Sequence, residues 1–121
     1  MSARTSAEVI DLVEQQISMI QEPLLVRRIR ALLVQPYAVD RLWDYGEPGQ
    51  TCVCWTVLEH QPSKTGVAYC ADGFSDSWGL VFLEGPHHSM GMDSSWFTSL
   101  EDAFRESAAW DGENPLAYEV R

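Results

Sequence analysis

The sequence is poor in basic side chains, with 8 Lys and Arg against 18 Asp and Glu and a formal net charge of −10. Basic and acidic residues cancel in residues 1–35, so residues 36–121 carry the whole excess. Such a field repels the phosphates of nucleic acid and of anionic membranes, and it attracts basic proteins. Solubility alone is the other explanation of the charge. The composition therefore predicts a basic protein partner, no nucleic acid and no membrane.

Long apolar runs are also missing. The N-terminal stretch MSARTSAEVIDLVEQQ contains no apolar core of a signal peptide. No run approaches the roughly 20 residues of a membrane-spanning helix. The cysteines number three, an odd count that favours free thiols over a disulfide framework. Together these features predict a cytoplasmic protein.

The usual catalytic motifs are missing as well. No glycine-rich loop leads from a strand into a helix in the manner of a phosphate site. The segment 73–77 (GFSDS) lacks the second glycine of a nucleophile elbow. The acids fit no calcium loop, because the regular spacing of oxygen ligands and the closing glutamate are not there. The sequence thus favours a non-enzymatic protein without cofactor or metal.

Two arrangements could nevertheless support chemistry. Cys52, Cys54 and Cys70, with His87 or His88, could form a tetrahedral zinc set, although a Cys-x-Cys pair on a strand is not the spacing of a zinc knuckle. The second is a carboxylate group within residues 72–93, formed by Asp72, Asp76 and Asp93 with His87 or His88. Such a group could serve a small metal- or carboxylate-dependent enzyme, which is the alternative function. Aspartate is also common in turns, and buried thiols are also common in cores.

Length and composition predict a single domain over residues 1–121. A chain of 121 residues can bury about two thirds of its unfolded surface without disulfides. Its hydrophobic fraction of 45% and charged fraction of 21% are those of a globular protein.

The helix signals lie at the two ends of the chain. Thr5 and Glu8 have the spacing of a capping box, and apolar residues follow at three- and four-residue intervals. Pro23 is expected to begin a second helix, which Pro36 ends. A third helix is expected after Thr98 or Ser99, since each is followed three residues later by an acid, and Asp111-Gly112 is expected to end it.

Between the helices the apolar period changes from about four to two. Strands are predicted over 37–45, 51–60, 67–71 and 78–83, with a possible fifth over 89–93, and the tail 114–121 either adds an edge strand or docks on the body. Short connections favour antiparallel pairing of consecutive strands. The predicted fold class is α+β: two N-terminal helices, an antiparallel meander sheet of four or five strands, and one C-terminal helix packed on the sheet.

The loop lengths also predict the strand register. If Tyr45 lies opposite Thr51, one face combines Val39 and Trp43 with Val53, Trp55 and Val57, and this apolar face receives the helices. The opposite face then combines the cysteines with Asp40, Leu42 and Leu58. A slip of one residue would exchange the faces.

The candidate binding surface lies in the segment 72–99. This segment interleaves large aromatic side chains with acids, which is the composition of an interface for a basic partner. The predicted binding residues are Asp72, Asp76, Trp78, Phe82, Glu84, Asp93, Trp96 and Phe97. The aromatics could instead belong to the core, and a homodimer built on the aromatic patch or on a sheet edge is a further possibility.

The strand 77–82 (SWGLVF) and the following helix start 99–104 (SLEDAF) resemble segments of the small acidic immunity proteins encoded beside bacterial toxins. The resemblance covers roughly residues 72–109. It implies a cytoplasmic single domain of bacterial origin that binds and neutralises a basic toxin.

Overall fold

The sequence folds into three α-helices and one five-stranded sheet, seen in a computed structural model that describes residues 5–43, 45–84, 89–112 and 114. The elements, in chain order, are α1 (Ser6–Ser18), α2 (Pro23–Leu32), β1 (Leu33–Leu42), β2 (Thr51–His60), β3 (Thr65–Tyr69), β4 (Trp78–Phe82), β5 (Trp96–Phe97) and α3 (Leu100–Arg105). The strands follow one another in the order β1-β2-β3-β4-β5, and each pair is antiparallel. The predicted α+β class is confirmed.

The caps of the helices agree with the sequence signals. Thr5 and Glu8 form the predicted capping box, in which each side chain accepts a hydrogen bond from the other residue's backbone N–H. At α3 the capping residue is Ser99, whose hydroxyl accepts from the N–H of Asp102. None of the helices in the described part of the chain is long and apolar enough to cross a membrane.

Pro36 does not end the second helix, which is a correction. The helix ends at Leu32 and the chain enters β1 directly at Leu33. Pro36 lies inside this strand, where the register shifts between Leu33 and Tyr37. Proline has no N–H to give to a ladder, so an irregular part of an edge strand accommodates it.

The register of β1 against β2 also differs from the prediction. Leu42, not Tyr45, lies opposite Thr51, because the connecting loop is longer and the Trp43 N–H closes it by donating to the Gln50 carbonyl. The three-residue difference is odd, so the side chains of β1 change faces. Val39 and Trp43 therefore belong with the cysteines.

The assignment of β2 and β3 to faces holds with one exception. Trp55 pairs with Tyr69 and Thr56 with Ala68, as face sharing requires. A register shift between Thr56 and Leu58 then brings Leu58 into the core beneath the helices.

The predicted strand over 89–93 is replaced by an isolated parallel bridge from Ser89 to Leu42, and β5 forms later in the chain. The tail from residue 115 onward lies outside the described residues.

The sheet has a core on each face. The helix-side core is the larger, and it packs residues of α1, α2 and α3 against β2, β3, β4 and β5. The second core, here the cysteine core, is covered by loops and not by helices. Its buried members are Cys52, Cys54, Ala68, Cys70, Val81, Met90 and Trp96, with Trp43 and Phe74 packed against them.

Candidate functional site

The structure separates the eight predicted binding residues into a buried and an exposed group. Trp78, Trp96 and Phe97 are buried to 97% or more, whereas 69% of Phe82 is exposed. Asp72, Glu84 and Asp93 are exposed, and Asp76 is half-buried. The predicted aromatic residues are therefore divided between the core and the surface. Phe82 is the one of the four that is exposed to a partner.

The three buried aromatic residues pack in the cores on both faces of the sheet. Trp78 pairs with Phe97 across β4 and β5, and its ring lies 5.0 Å from the ring of Tyr69 in the helix-side core. Trp96 lies in the cysteine core, where its Nε1–H donates to the Met90 carbonyl at 2.8 Å. Buried tryptophans need such a partner for the indole N–H. These contacts hold the segment in place beneath the surface.

Phe82 is exposed because of where β5 and α3 end. β5 pairs with Trp78 and Gly79 but does not extend along the rest of β4. A groove of about 230 Å³ opens there, between the end of β4 and the chain that leaves α3. Its lining residues are Thr65, Leu80, Val81, Phe82, Ser95, Ser107 and Ala108, and this set is called the Phe82 groove.

Two acidic residues lie close in the sequence to residues that line the Phe82 groove. Asp93 lies two residues before Ser95, and Glu106 directly precedes Ser107. Both acids are exposed, and neither forms an ion pair within the described ranges. Glu84, the third acid near this end of β4, is bound to Lys64 at 3.3 Å, with both side chains largely exposed. Such an exposed pair contributes little and can exchange its partner.

The acid excess persists after the internal ion pairs are formed. Arg28 pairs with Asp111 and Arg30 with Glu14, and these bonds lower the pKa of both carboxyls. Arg105 binds Glu22 and Glu101. The other acids in the described part of the chain have no ion pair: Glu8, Asp11, Asp40, Glu47, Glu59, Asp72, Asp76, Asp93, Asp102 and Glu106.

The metal-site alternatives receive no geometric support from the described residues. In that part of the chain no group of three or more His, Cys, Asp or Glu side chains is arranged to hold a metal ion. His87 and His88 lie outside the described residues, so the hypotheses that use them stay predictions.

Sequence reasoning missed two residues: Glu106, which follows α3, and Arg41, which is buried in the interior. Glu106 follows α3 because the helix ends at Arg105. The prediction that Asp111 and Gly112 end this helix is wrong. Arg41 is 2% exposed and lies in the interior beside the cysteines. Val39, Arg41 and Trp43 alternate along β1 and so share one face of the sheet, which the observed register places beside the cysteines. The predicted register placed this face beneath the helices.

No protein-family model matches this chain, and comparison with curated proteins and with solved structures found no match. The resemblance to immunity proteins therefore stays a prediction. Function has to follow from the chemistry of the surface and the interior.

Proposed function

We propose that this chain is a non-enzymatic protein-binding domain, and that its Phe82 groove receives a basic segment of a partner protein. The supporting observation is the exposed Phe82 ring beside an apolar groove, whose lining residues Ser95 and Ser107 have the exposed acids Asp93 and Glu106 close by in the sequence. An exposed aromatic anchor next to a pocket is the usual centre of an interface, and a polar rim surrounds it.

The groove suits a lysine or arginine side chain in particular. The apolar stem of such a side chain can lie along Leu80 and Ala108 while its charged head remains at the rim. An arginine can also stack on the Phe82 ring. The carboxylates of Asp93 and Glu106 then provide the opposite charge, and among the described residues no cation is paired with them.

The remaining acids act at longer range. With a formal charge of −10 the domain attracts a basic partner before contact is made, which raises the association rate and makes it sensitive to salt. The resemblance of β4 and α3 to immunity proteins suggests one form of this role. In that form the partner is a basic toxin, and the domain neutralises it by covering its active site.

The test measures binding of the purified protein encoded by the neighbouring gene, by titration calorimetry at low and at physiological salt. We expect salt-sensitive binding, and we expect F82A to weaken it by about thirty-fold, since a central aromatic anchor contributes about 2 kcal/mol. The double variant D93N/E106Q should slow association and reduce the salt dependence. M19A is the matched control, because Met19 is also largely exposed but lies at the end of α1.

Two outcomes would count against the proposal, and they differ in meaning. No binding at low salt would remove the basic partner. Binding that F82A and M19A leave equally strong would keep the partner and remove the Phe82 groove as its site.

A further inference from the structure

The cysteine core brings all three thiols of the chain to one face of the sheet. Cys52, Cys54 and Cys70 are free and buried, and they belong to one cluster of buried side chains. Cys54 donates to the Cys52 carbonyl at 3.8 Å. Buried cysteines usually pack as single small apolar residues. A contiguous set of three thiols needs a more specific explanation.

The register places Cys54 and Cys70 directly opposite each other. Trp55 pairs with Tyr69 and Thr56 with Ala68, so the next step of the ladder sets Cys54 against Cys70. The Cys70 N–H donates to the Ser77 carbonyl at 2.9 Å, on the side of β4. A residue in an antiparallel sheet directs its N–H and C=O to the same side, so Cys70 does not bond to the backbone of Cys54.

Cys54 and Cys70 are therefore a non-hydrogen-bonded pair. Such pairs have Cα atoms about 4.5 Å apart and bring their side chains closest together. This separation lies within the range of about 4.4–6.8 Å that a disulfide spans. Cys52 is two residues from Cys54 on the same strand and has no such opposite position to Cys70.

The surroundings of the pair distinguish its two thiols. The neighbouring Cys54 thiol and the backbone N–H groups of Asp72 and Gly73 lower the pKa of Cys70 in spite of its burial. The neighbouring Cys70 and burial raise the pKa of Cys54. Cys70 is thus the more acidic thiol and the nucleophile of the pair.

Arg41 gives the same interior a positive charge. The Nη2 of Arg41 donates to the Phe82 carbonyl at 3.3 Å, while its Nε and Nη1 have no hydrogen-bond partner in the described part of the chain. Its charge interacts with Cys54, and burial lowers its pKa. A buried guanidinium favours an anion nearby, and Cys54 and Tyr37 are the titratable groups whose charges interact with it.

We propose that Cys54 and Cys70 form a redox-active dithiol, which a peroxide converts to a reversible cross-strand disulfide. The Cys70 thiolate attacks one oxygen of the peroxide, the O–O bond breaks, and hydroxide leaves with the proton that Cys70 released, as water. The Cys54 sulfur then attacks the sulfur of the Cys70 sulfenic acid. The S–S bond forms, the S–O bond breaks, and a second water leaves with the proton of Cys54.

Atoms and electrons balance in this reaction when hydrogen peroxide is the oxidant. Two thiols lose two electrons and two protons, and one hydrogen peroxide becomes two waters. A dithiol reductant reverses the oxidation by thiol–disulfide exchange. The product ties β2 to the start of the loop 71–77, whose Phe74 packs on Trp43 and Trp96 in the same core. It does not depend on the Phe82 groove.

The test treats the folded, reduced protein with hydrogen peroxide and follows its intact mass. We expect the loss of two hydrogen atoms, restored by dithiothreitol, and a non-reduced tryptic digest in which fragmentation assigns the link to Cys54 and Cys70. The rate should rise with pH, with its midpoint below the ordinary thiol value of about 8.5, because the pKa of Cys70 is lowered. C52A should still form the disulfide, and C54A should gain oxygen at Cys70 instead.

Three results would overturn the proposal: oxygen addition to the wild-type protein without loss of hydrogen, a link that uses Cys52 in place of Cys54, or a link between two molecules. If C54A does not fold, the peptide map of the wild-type protein decides alone, because it assigns the bonded pair directly.

Discussion

Arg41 and Arg105 are both buried arginines, but their surroundings are opposite. Arg105 is 6% exposed, binds the carboxylates of Glu22 and Glu101, and lies over the Trp110 ring. Arg41 is 2% exposed and has one weak bond to a carbonyl in the described structure. A buried charge stabilises a fold only when its hydrogen bonds and opposite charge are provided. The two residues should therefore contribute with opposite sign.

We expect R41M to raise the free energy of unfolding by about 1 kcal/mol, because an apolar side chain of similar length removes an unsatisfied charge. R105M should lower it by about 2 kcal/mol, since Glu22 and Glu101 lose their partner but remain partly exposed to water. The burial that lowers the pKa of Arg41 opposes its charged form at every pH below that pKa, so the gain in R41M should be constant from pH 6 to 8.

Urea denaturation of the two variants and of the wild type measures both changes. A fall of more than about 2 kcal/mol in R41M would contradict this account, because it would show that the guanidinium is satisfied in the folded protein.

At the scale of elements, the cysteine core depends on one close contact between β4 and β5. Gly79 pairs with Trp96, and a Cβ at Gly79 would overlap the indole ring. The neighbour of Gly79 on β3 is Ala68, so the large ring lies over two small residues. This arrangement lets Trp96 enter the interior from a strand of only two residues.

We expect G79A to lower the free energy of unfolding by about 2 kcal/mol, through overpacking against Trp96. In the background of W96L the same substitution should be nearly neutral, because the ring is no longer there. A double-mutant cycle measured by denaturation checks the coupling. An equal loss in both backgrounds would mean that strain in β4, not contact with Trp96, causes it.

The elements themselves follow from local signals that the sequence carries. The capping box of Thr5 and Glu8, the cap at Ser99 and the period of two between Thr51 and His60 each depend on neighbouring residues, and each prediction is confirmed. The register of β1 depends instead on which residues close the loop 43–50, and the length of the loop does not determine them. That error placed Arg41 on the wrong face and hid its position beside the thiols.

The candidate site was predictable only in part for a similar reason. The exposed acids and Phe82 were identified from composition, but Trp78, Trp96 and Phe97 carry the same composition and are buried. Whether an aromatic residue on β4 is covered depends on where β5 and α3 end. These ends are long-range consequences of packing, since β5 has only two residues and α3 only six.

At the scale of the whole molecule, the proposed role combines one local anchor with a general field. The acids without internal partners lie on several elements, from Asp11 on α1 to Glu106 after α3. Their field can attract a basic partner to many parts of the surface. Phe82 and its groove are the features that would select one place, because a buried aromatic anchor contributes more than exposed charges.

The proposed function depends on where the partner binds, and amide hydrogen exchange of the complex with the neighbouring gene's product shows this position. We expect the partner to slow exchange of the backbone amides in the segments 80–83, 93–95 and 106–108, which border the Phe82 groove. Amides of the exposed end of the β1–β2 hairpin, such as Val53, should exchange as in the free protein. Protection confined to that hairpin or to α1 and α2, with the groove segments unchanged, would contradict the account.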